Sequence, residues 1–420
     1  MNDILIIGAG LSGLTAAWQA ALRGKKVQIA SKGWGTTHWH AGCIDVLGYY
    51  PIDEPTAVAS PKETLPQLIA DHPQHPYALA GLDQIEAALT AVQTLFTEAG
   101  YPLHGSLDKN WQLPTAVGSM RPTCLAPTTM IAGDLTDDAP MLLVGFEHYN
   151  DFYPALAAEN LTNLGVPAVG TKIRLTAIED ANFMTPIKLA QQMEKNPSLR
   201  LELARAIQAQ LGSAKRVGLP AVLGVHNAIT IHKELEERLG VPVFEIPSLP
   251  PSVPGMRLHR VFVQAIQKAG GRVYEGMEAI GSHKNDEGRI TAVLTESAGR
   301  TRTQRAATYV LATGGLLGGG IVTNASGGVR EVVFDLPLDA PEKRQAWFQR
   351  NFLVRDGHPI YQTGVKVNEA FQPIGGQDDT AVLYENLYAA GTTLAHCEAI
   401  RERAYEGVAL ASGYKIGQTV

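Results

Sequence analysis

The apolar positions begin as an unbroken run, Ile4-Leu5-Ile6-Ile7. A run without polar alternation predicts a strand buried on both faces, as in a parallel sheet. Residues 14–22 continue with alanine-rich helical spacing, Gly24 closes that helix, and residues 27–30 read as a second strand. Residues 49–81 are rich in Pro and Asp and predict loop. Apolar runs at 141–145 and 219–225 predict two more buried strands, with another near 172–175. Helices are expected over 151–160, 198–211 and 231–239. The stretch EIPSLPPSVPG, residues 245–255, carries four prolines and predicts a rigid connector. A helix over 256–270, the strands GRVYEG and RITAVLTES, and the strand ATYVLATGG follow it. NLYAAGTTL then gives one more strand before a closing helix. This alternation predicts an α/β class.

Composition narrows the picture. Of 420 residues 45% are hydrophobic and 18% charged, an ordinary soluble balance. The net charge of −6 comes with no Lys/Arg cluster, which argues against nucleic-acid binding. Cys43, Cys124 and Cys397 are far apart and form no C-x-x-C pair. Neither a disulfide framework nor an iron–sulfur or other metal site is expected. The longest apolar stretch, residues 309–322, is glycine-broken and short of the roughly 20 residues that a membrane span needs. The first strand starts at residue 3 or 4, which leaves no room for a signal peptide. A cytoplasmic chain is expected, reaching the inner face of the cell membrane only through a partner.

Candidate chemistry starts at the first turn. Gly8, Gly10 and Gly13 make G-x-G-x-x-G between a predicted strand and a predicted helix, with Leu11 and Ser12 inside the motif. Gly8 permits the tight turn, Gly10 lets the backbone approach a pyrophosphate, and Gly13 allows close helix–strand packing. The second strand of such sites usually ends in an acid that holds a ribose. Here Ser31 stands in its place, followed by Lys32 and the loop GWGTTHWHAGCI. No second G-x-G-x-x-G sits between a strand and a helix, so a separate NAD(P)H domain is not expected.

The early fingerprint, the late Ala312-Thr313-Gly314 and the C-terminal NLYAAG ending in Gly391 together resemble the FAD-binding domain of the large flavoprotein oxidoreductase superfamily. Fumarate reductase, succinate dehydrogenase and aspartate oxidase types also carry Ser-Lys here, then a Gly/Thr-rich loop and a short Ala-x-Gly-Gly run that wraps the flavin. Thr36, Thr37, Ala41 and Gly42 match that loop, with Cys43 at the second glycine. Thr36 stands where some relatives have a flavin-linking histidine, and His38 and His40 lie close to it. The glycine cluster that relatives carry before the last helix is reduced to Gly407, next to Val408. The implied fold is a Rossmann-like FAD/NAD(P)-binding domain, discontinuous over 1–75, 255–335 and 375–420. An inserted α/β substrate, cap or partner-binding lobe covers 76–254 and 336–374.

Residues 246–276, 311–331, 72–77 and 144–161, with GTTHWHAGCIDVLGY, resemble the B subunit of anaerobic glycerol-3-phosphate dehydrogenase in consistent order. That family implies a flavoprotein that works with two partners, a larger flavoprotein (the A subunit) and an iron–sulfur protein (the C subunit). Together they would oxidise sn-glycerol 3-phosphate to dihydroxyacetone phosphate and pass electrons to quinone. The helix after the fingerprint argues for FAD, while the family is usually credited with FMN. By resemblance to fumarate-reductase-like proteins, whose similar His-Pro segment places a histidine at the substrate side of the flavin, His358 is the candidate base, and Arg401 and Arg403 are the substrate-facing cations. Arg257 and Arg330 are candidate phosphate ligands, since an arginine fork suits phosphate. Three readings stay open: a catalytic component of that complex, a stand-alone fumarate reductase- or aspartate oxidase-like enzyme, and a non-catalytic flavin relay.

Overall fold

The computed structural model describes the chain except residues 53–55, 148, 177–183, 356 and 377–379. It contains two compact units. Met1–Thr36, Asp45–Val92 and His259–Val420 form the first, Thr37–Ile44 and Gln93–Leu258 the second.

The first unit is built on a five-stranded parallel sheet. Its order is Arg272–Tyr274, Val27–Ala30, Asn2–Ile7, Ala306–Leu311, Leu387–Ala389. The opening apolar run therefore takes the centre, where both faces are covered and Ile4 to Ile7 are all buried. Ile7 pairs with Ala30 on one side and Leu311 on the other. The helix Leu11–Leu22 is buried almost throughout and packs against the last helix, Tyr405–Thr419. Small residues permit that approach: a Cβ on Gly413 would lie 2.4 Å from the Ser12 carbonyl oxygen.

Residues 336–374 were expected in the inserted lobe but belong to the first unit. Backbone bonds hold them there: Val365 N donates to Thr393 O at 2.8 Å, and Ala389 N to Phe371 O at 2.9 Å. Such pairings join residues far apart in sequence, so no local pattern announces them.

The second unit carries a four-stranded parallel sheet in the order Val243–Ile246, Arg216–Pro220, Met141–Phe146, Ala168–Ile173. Leu143, Phe146, Leu219 and Phe244 lie in its core. The strand expected at 219–225 starts earlier, at a charged residue. Arg216 is buried because its guanidinium donates to the carbonyls of Ala132, Asp134, Asp137 and Ala139 at 2.5–3.1 Å. The proline-rich connector divides between two elements. Its first residues complete the strand Val243–Ile246, and its last begin the helix Val253–Lys268, where Pro254 is tolerated in the first turn. Among the described residues no helix is long and apolar enough to cross a membrane.

Candidate functional site

In the first unit a cleft opens at the carboxyl ends of the central strands, where open α/β sheets hold their ligands. It is open to solvent, has a cavity volume of about 110 Å³ and is lined by Gly8, Gly10, Leu11, Ser12, Ser31, Lys32, Thr36, Ala312, Thr313 and Gly314, among others. Three strand ends, two near the start of the chain at Ile7 and Ala30 and one far along it at Leu311, thus converge on one cavity. The three fingerprint glycines divide the work. A Cβ on Gly8 would lie 2.2 Å from Ala312 O, and one on Gly13 would lie 2.1 Å from Gly8 O. Those two glycines hold strand, turn and helix together. A Cβ on Gly10 would meet nothing within 4 Å. The open space lies above Gly10, at the N-terminus of a helix with no side-chain cap, which is what a pyrophosphate requires.

The missing acid comes from elsewhere in the chain. Ser31 N donates to Tyr274 O at 3.0 Å, and Met277 N to Ser31 O at 2.8 Å. This brings Glu278 to the cleft beside Ser31 and Lys32, where its carboxylate pairs with Lys32 at 2.9 Å. Both side chains are exposed, so the pair itself adds little stability. Glu278 is thus available at the end of the second strand, where a ribose is usually held. Glu278→Ala is expected to weaken flavin binding by about tenfold, roughly 1.4 kcal/mol, with the melting temperature unchanged. A flavin titration of the stripped protein checks this.

Several residues expected at the cofactor are placed differently. Gly391 sits against Ser12, and its neighbour Thr392 lines the cleft instead. Gly407 is a packing glycine: a Cβ there would lie 2.1 Å from Tyr77 Oη. Val408 is buried, and Ala409 takes the place at the cleft. Thr37, Ala41 and Gly42 belong to the second unit, where Gly42 abuts Pro254 and the Thr37 carbonyl abuts Gly255. Tyr405 was not expected at all. Its hydroxyl lies 2.9 Å from Thr36 Oγ1 and 3.3 Å from Thr392 Oγ1, and burial pushes its pKa up. Nothing in sequence marks a tyrosine at a helix start as a lining residue.

A smaller chamber adjoins the cleft and shares Gly314, Thr392 and Tyr405 with it. Leu316, Leu317, Tyr361, Thr363, Cys397, Glu398, Ala399 and Ile400 complete it. Its wall is fixed by a knot of three buried side chains, His75, Cys397 and Glu402, whose polar atoms lie within 4.8 Å of one another. His75 Nδ1 accepts from Tyr77 N at 3.0 Å, so its proton sits on Nε2 and is donated to Glu402 Oε2 at 3.1 Å. The Cys397 thiol donates to the same oxygen at 3.3 Å, and Glu398 N to the other at 3.1 Å. Burial raises the Glu402 carboxyl, but His75 and the other donors outweigh it and leave the pKa below its ordinary value. Burial likewise pushes the Cys397 thiol up, helped by Glu402. Glu398 is buried with a raised pKa, because desolvation exceeds the pull of Arg401. Among the described residues no Lys, Arg or His lines this chamber.

The residues expected to do chemistry are not brought to it. Both nitrogens of His358 are engaged: Nδ1 accepts from Gln349 N at 3.1 Å and Nε2 donates to Phe352 O at 3.0 Å. A ring so held clamps a loop and has no lone pair for a substrate proton. Arg401 donates to the carbonyls of Ile52 and Arg355 and sits 3.5 Å from Glu398, tying three segments together. Arg403, with φ of +49°, lies 3.4 Å from Asp45 Oδ2. Arg257 is fully buried in the second unit. Its guanidinium donates to both Glu245 oxygens at 2.5 and 2.9 Å, to Gly224 O at 2.8 Å and to Tyr101 Oη at 3.2 Å. It is a structural ion pair with no donor facing a phosphate. Arg330 is exposed on the short strand Val329–Glu331 and lines neither cavity.

The parallel sheet, the glycine turn and the cleft at the strand ends define a dinucleotide-binding flavoprotein fold, and residues 3–406 match the FAD-binding domain family. The chain is 33% identical to the probable anaerobic glycerol-3-phosphate dehydrogenase B subunit of Halobacterium salinarum, over 99% of this chain and 97% of that protein. It is 30% identical to the anaerobic glycerol-3-phosphate dehydrogenase B subunit of Pectobacterium carotovorum, over 100% of this chain and 98% of that one. Among solved structures, 3-ketosteroid-Δ4-(5α)-dehydrogenase of Rhodococcus jostii aligns at 11% identity with a TM-score of 0.42, over 99% of this chain and 95% of that one. The chain belongs to the family of anaerobic glycerol-3-phosphate dehydrogenase B subunits.

Proposed function

We propose that this chain is the flavin-bearing subunit of a complex that oxidises sn-glycerol 3-phosphate to dihydroxyacetone phosphate. It would work with a larger flavoprotein (the A subunit) and an iron–sulfur protein (the C subunit), in the cytoplasm at the inner face of the membrane, passing electrons to quinone. The carrying observation is the cleft: Gly10 leaves open the one place a pyrophosphate needs, within a chain related along its length to named B subunits. Gly10, Ser12, Ser31, Glu278, Thr313 and Thr392 are the residues that would hold FAD. Bound there, FAD supplies a two-electron acceptor. The protein's own part is to exclude water around it and to present the chamber walled by Thr363, Glu398 and Tyr405.

One observation favours a relay within that complex over oxidation by this chain itself. A phosphate monoester needs cationic partners, and among the described residues none lines the chamber beside the cleft. The test is anaerobic addition of glycerol 3-phosphate to the purified chain, followed by its partner subunits, watching the flavin absorption band. A flavin that stays oxidised until the partners arrive is the expected result and makes this chain a relay. Bleaching in the isolated chain would place the oxidation here. Bleaching in neither condition would refute the substrate.

A further inference from the structure

Beyond the cleft and chamber, one loop of the first unit behaves unlike the rest of its surface. Trp347 is buried, and the chain then turns outward. Phe348 is 54% exposed, Phe352 85% and Leu353 87%. Single exposed apolar residues are common on soluble proteins, but adjacent large ones held out in water mark a contact surface.

The loop is built to hold them there. His358 spans it, accepting from Gln349 N and donating to Phe352 O. Its ring also packs near those of Phe348 and Tyr361, with centroids 5.4 and 6.1 Å away. Ile360 N donates to Trp347 O at 3.2 Å and closes the base. Arg401 donates to Arg355 O and fixes the outgoing limb. The histidine expected to act as a base thus shapes this projection.

Charge surrounds the apolar tip. Residues 342–356 contain Lys343, Arg344, Arg350 and Arg355 against Glu342 and Asp356, a local excess of cations in a chain of net charge −6. All four cations are exposed. A protein partner would need a pocket deep enough to enclose two nearly free side chains. A fluid bilayer needs none: aromatic and leucine side chains enter the boundary between headgroups and acyl chains, while nearby arginines reach anionic headgroups. Each basic residue near such a surface strengthens the attraction.

We propose that loop 348–355 is an interfacial anchor that seats this chain directly on an anionic lipid surface. Phe352 and Leu353 enter the bilayer boundary, and Arg350 and Arg355 lie among the headgroups. This departs from the expectation that membrane contact comes only through a partner. It stands apart from the flavin reading, because it uses none of the cleft residues.

Flotation of the full-length chain with vesicles tests it. The wild type is expected to float with phosphatidylcholine–phosphatidylglycerol vesicles, weakly with phosphatidylcholine alone, and less as salt rises. The double variant Phe352→Ser, Leu353→Ser is expected to lose binding by about tenfold or more. Its flavin content and melting temperature should match the wild type, because both side chains are exposed and Phe352 gives up only a loose contact with the His358 ring, centroids 6.3 Å apart. Wild type that stays in solution with both vesicle types, or a double variant that floats equally well, overturns the proposal. If the double variant instead loses co-purification with a partner while the wild type ignores vesicles, the loop is a protein interface and the lipid assignment fails.

Discussion

Gly10→Val is expected to purify as a folded chain that carries no flavin. A Cβ at residue 10 would meet no protein atom within 4 Å, so folding has little reason to suffer. It would instead fill the space where the backbone must approach the pyrophosphate, at the helix N-terminus that attracts it. Loss of that approach is expected to lower affinity by at least about a thousandfold, roughly 4 kcal/mol. The absorption spectrum and the released flavin mass report it, and circular dichroism reports the fold. Gly13→Val is the informative contrast. Its Cβ would lie 2.1 Å from Gly8 O, so it drives strand and helix apart. That variant is expected to lose the fold and, through it, the flavin. Normal flavin content in a folded Gly10→Val would remove the cleft from consideration as the cofactor site.

The second large effect is expected in the second unit, at Arg257 and Glu245. Replacing Arg257 with Met leaves the Glu245 carboxylate buried without its cation, together with unpaired Gly224 O and Tyr101 Oη. Breaking one side of a buried pair costs about 3–5 kcal/mol. Adding Glu245→Gln to Arg257→Met should recover part of the loss, because the uncompensated charge is then gone. The pair also sets a pH dependence. Burial pushes the Glu245 carboxyl up, but the charge of Arg257 and the bonds from Arg257 and Leu223 N outweigh it and hold the pKa below the ordinary value. Its folded-state pKa is therefore depressed. The stabilisation is fully present above the ordinary carboxylate range and is lost as the pH falls through the folded value. Acid titration followed by near-ultraviolet circular dichroism should show the wild type losing stability over that acid window. Arg257→Met should lack that component, and a parallel acid response in the two would contradict the assignment.

What was legible in the sequence was what is local. The central strand, the glycine turn and its helix follow from a short apolar run and a fixed glycine spacing, because backbone geometry over a few residues determines them. Ala312-Thr313-Gly314 was readable as a candidate cofactor segment only through its resemblance, together with the fingerprint and the C-terminal strand, to FAD-binding domains. Family membership was legible as well, since many motifs recur in one order along the chain. The tertiary structure decided which side chains meet. Glu278 fills the place of the missing acid because the segment after Arg272–Tyr274 pairs beside Ser31, a contact between residues more than two hundred apart. Arg257 looked like an anion ligand because a guanidinium permits that role, and His358 like a base because its segment resembles one that carries a histidine in relatives. Whether a guanidinium or an imidazole is free depends on what has already claimed its donors and lone pairs. Glu245, Gly224 and Tyr101 claim the first, and Gln349 and Phe352 the second. Hydrogen-bond capacity is finite, and only the folded arrangement says how it is spent.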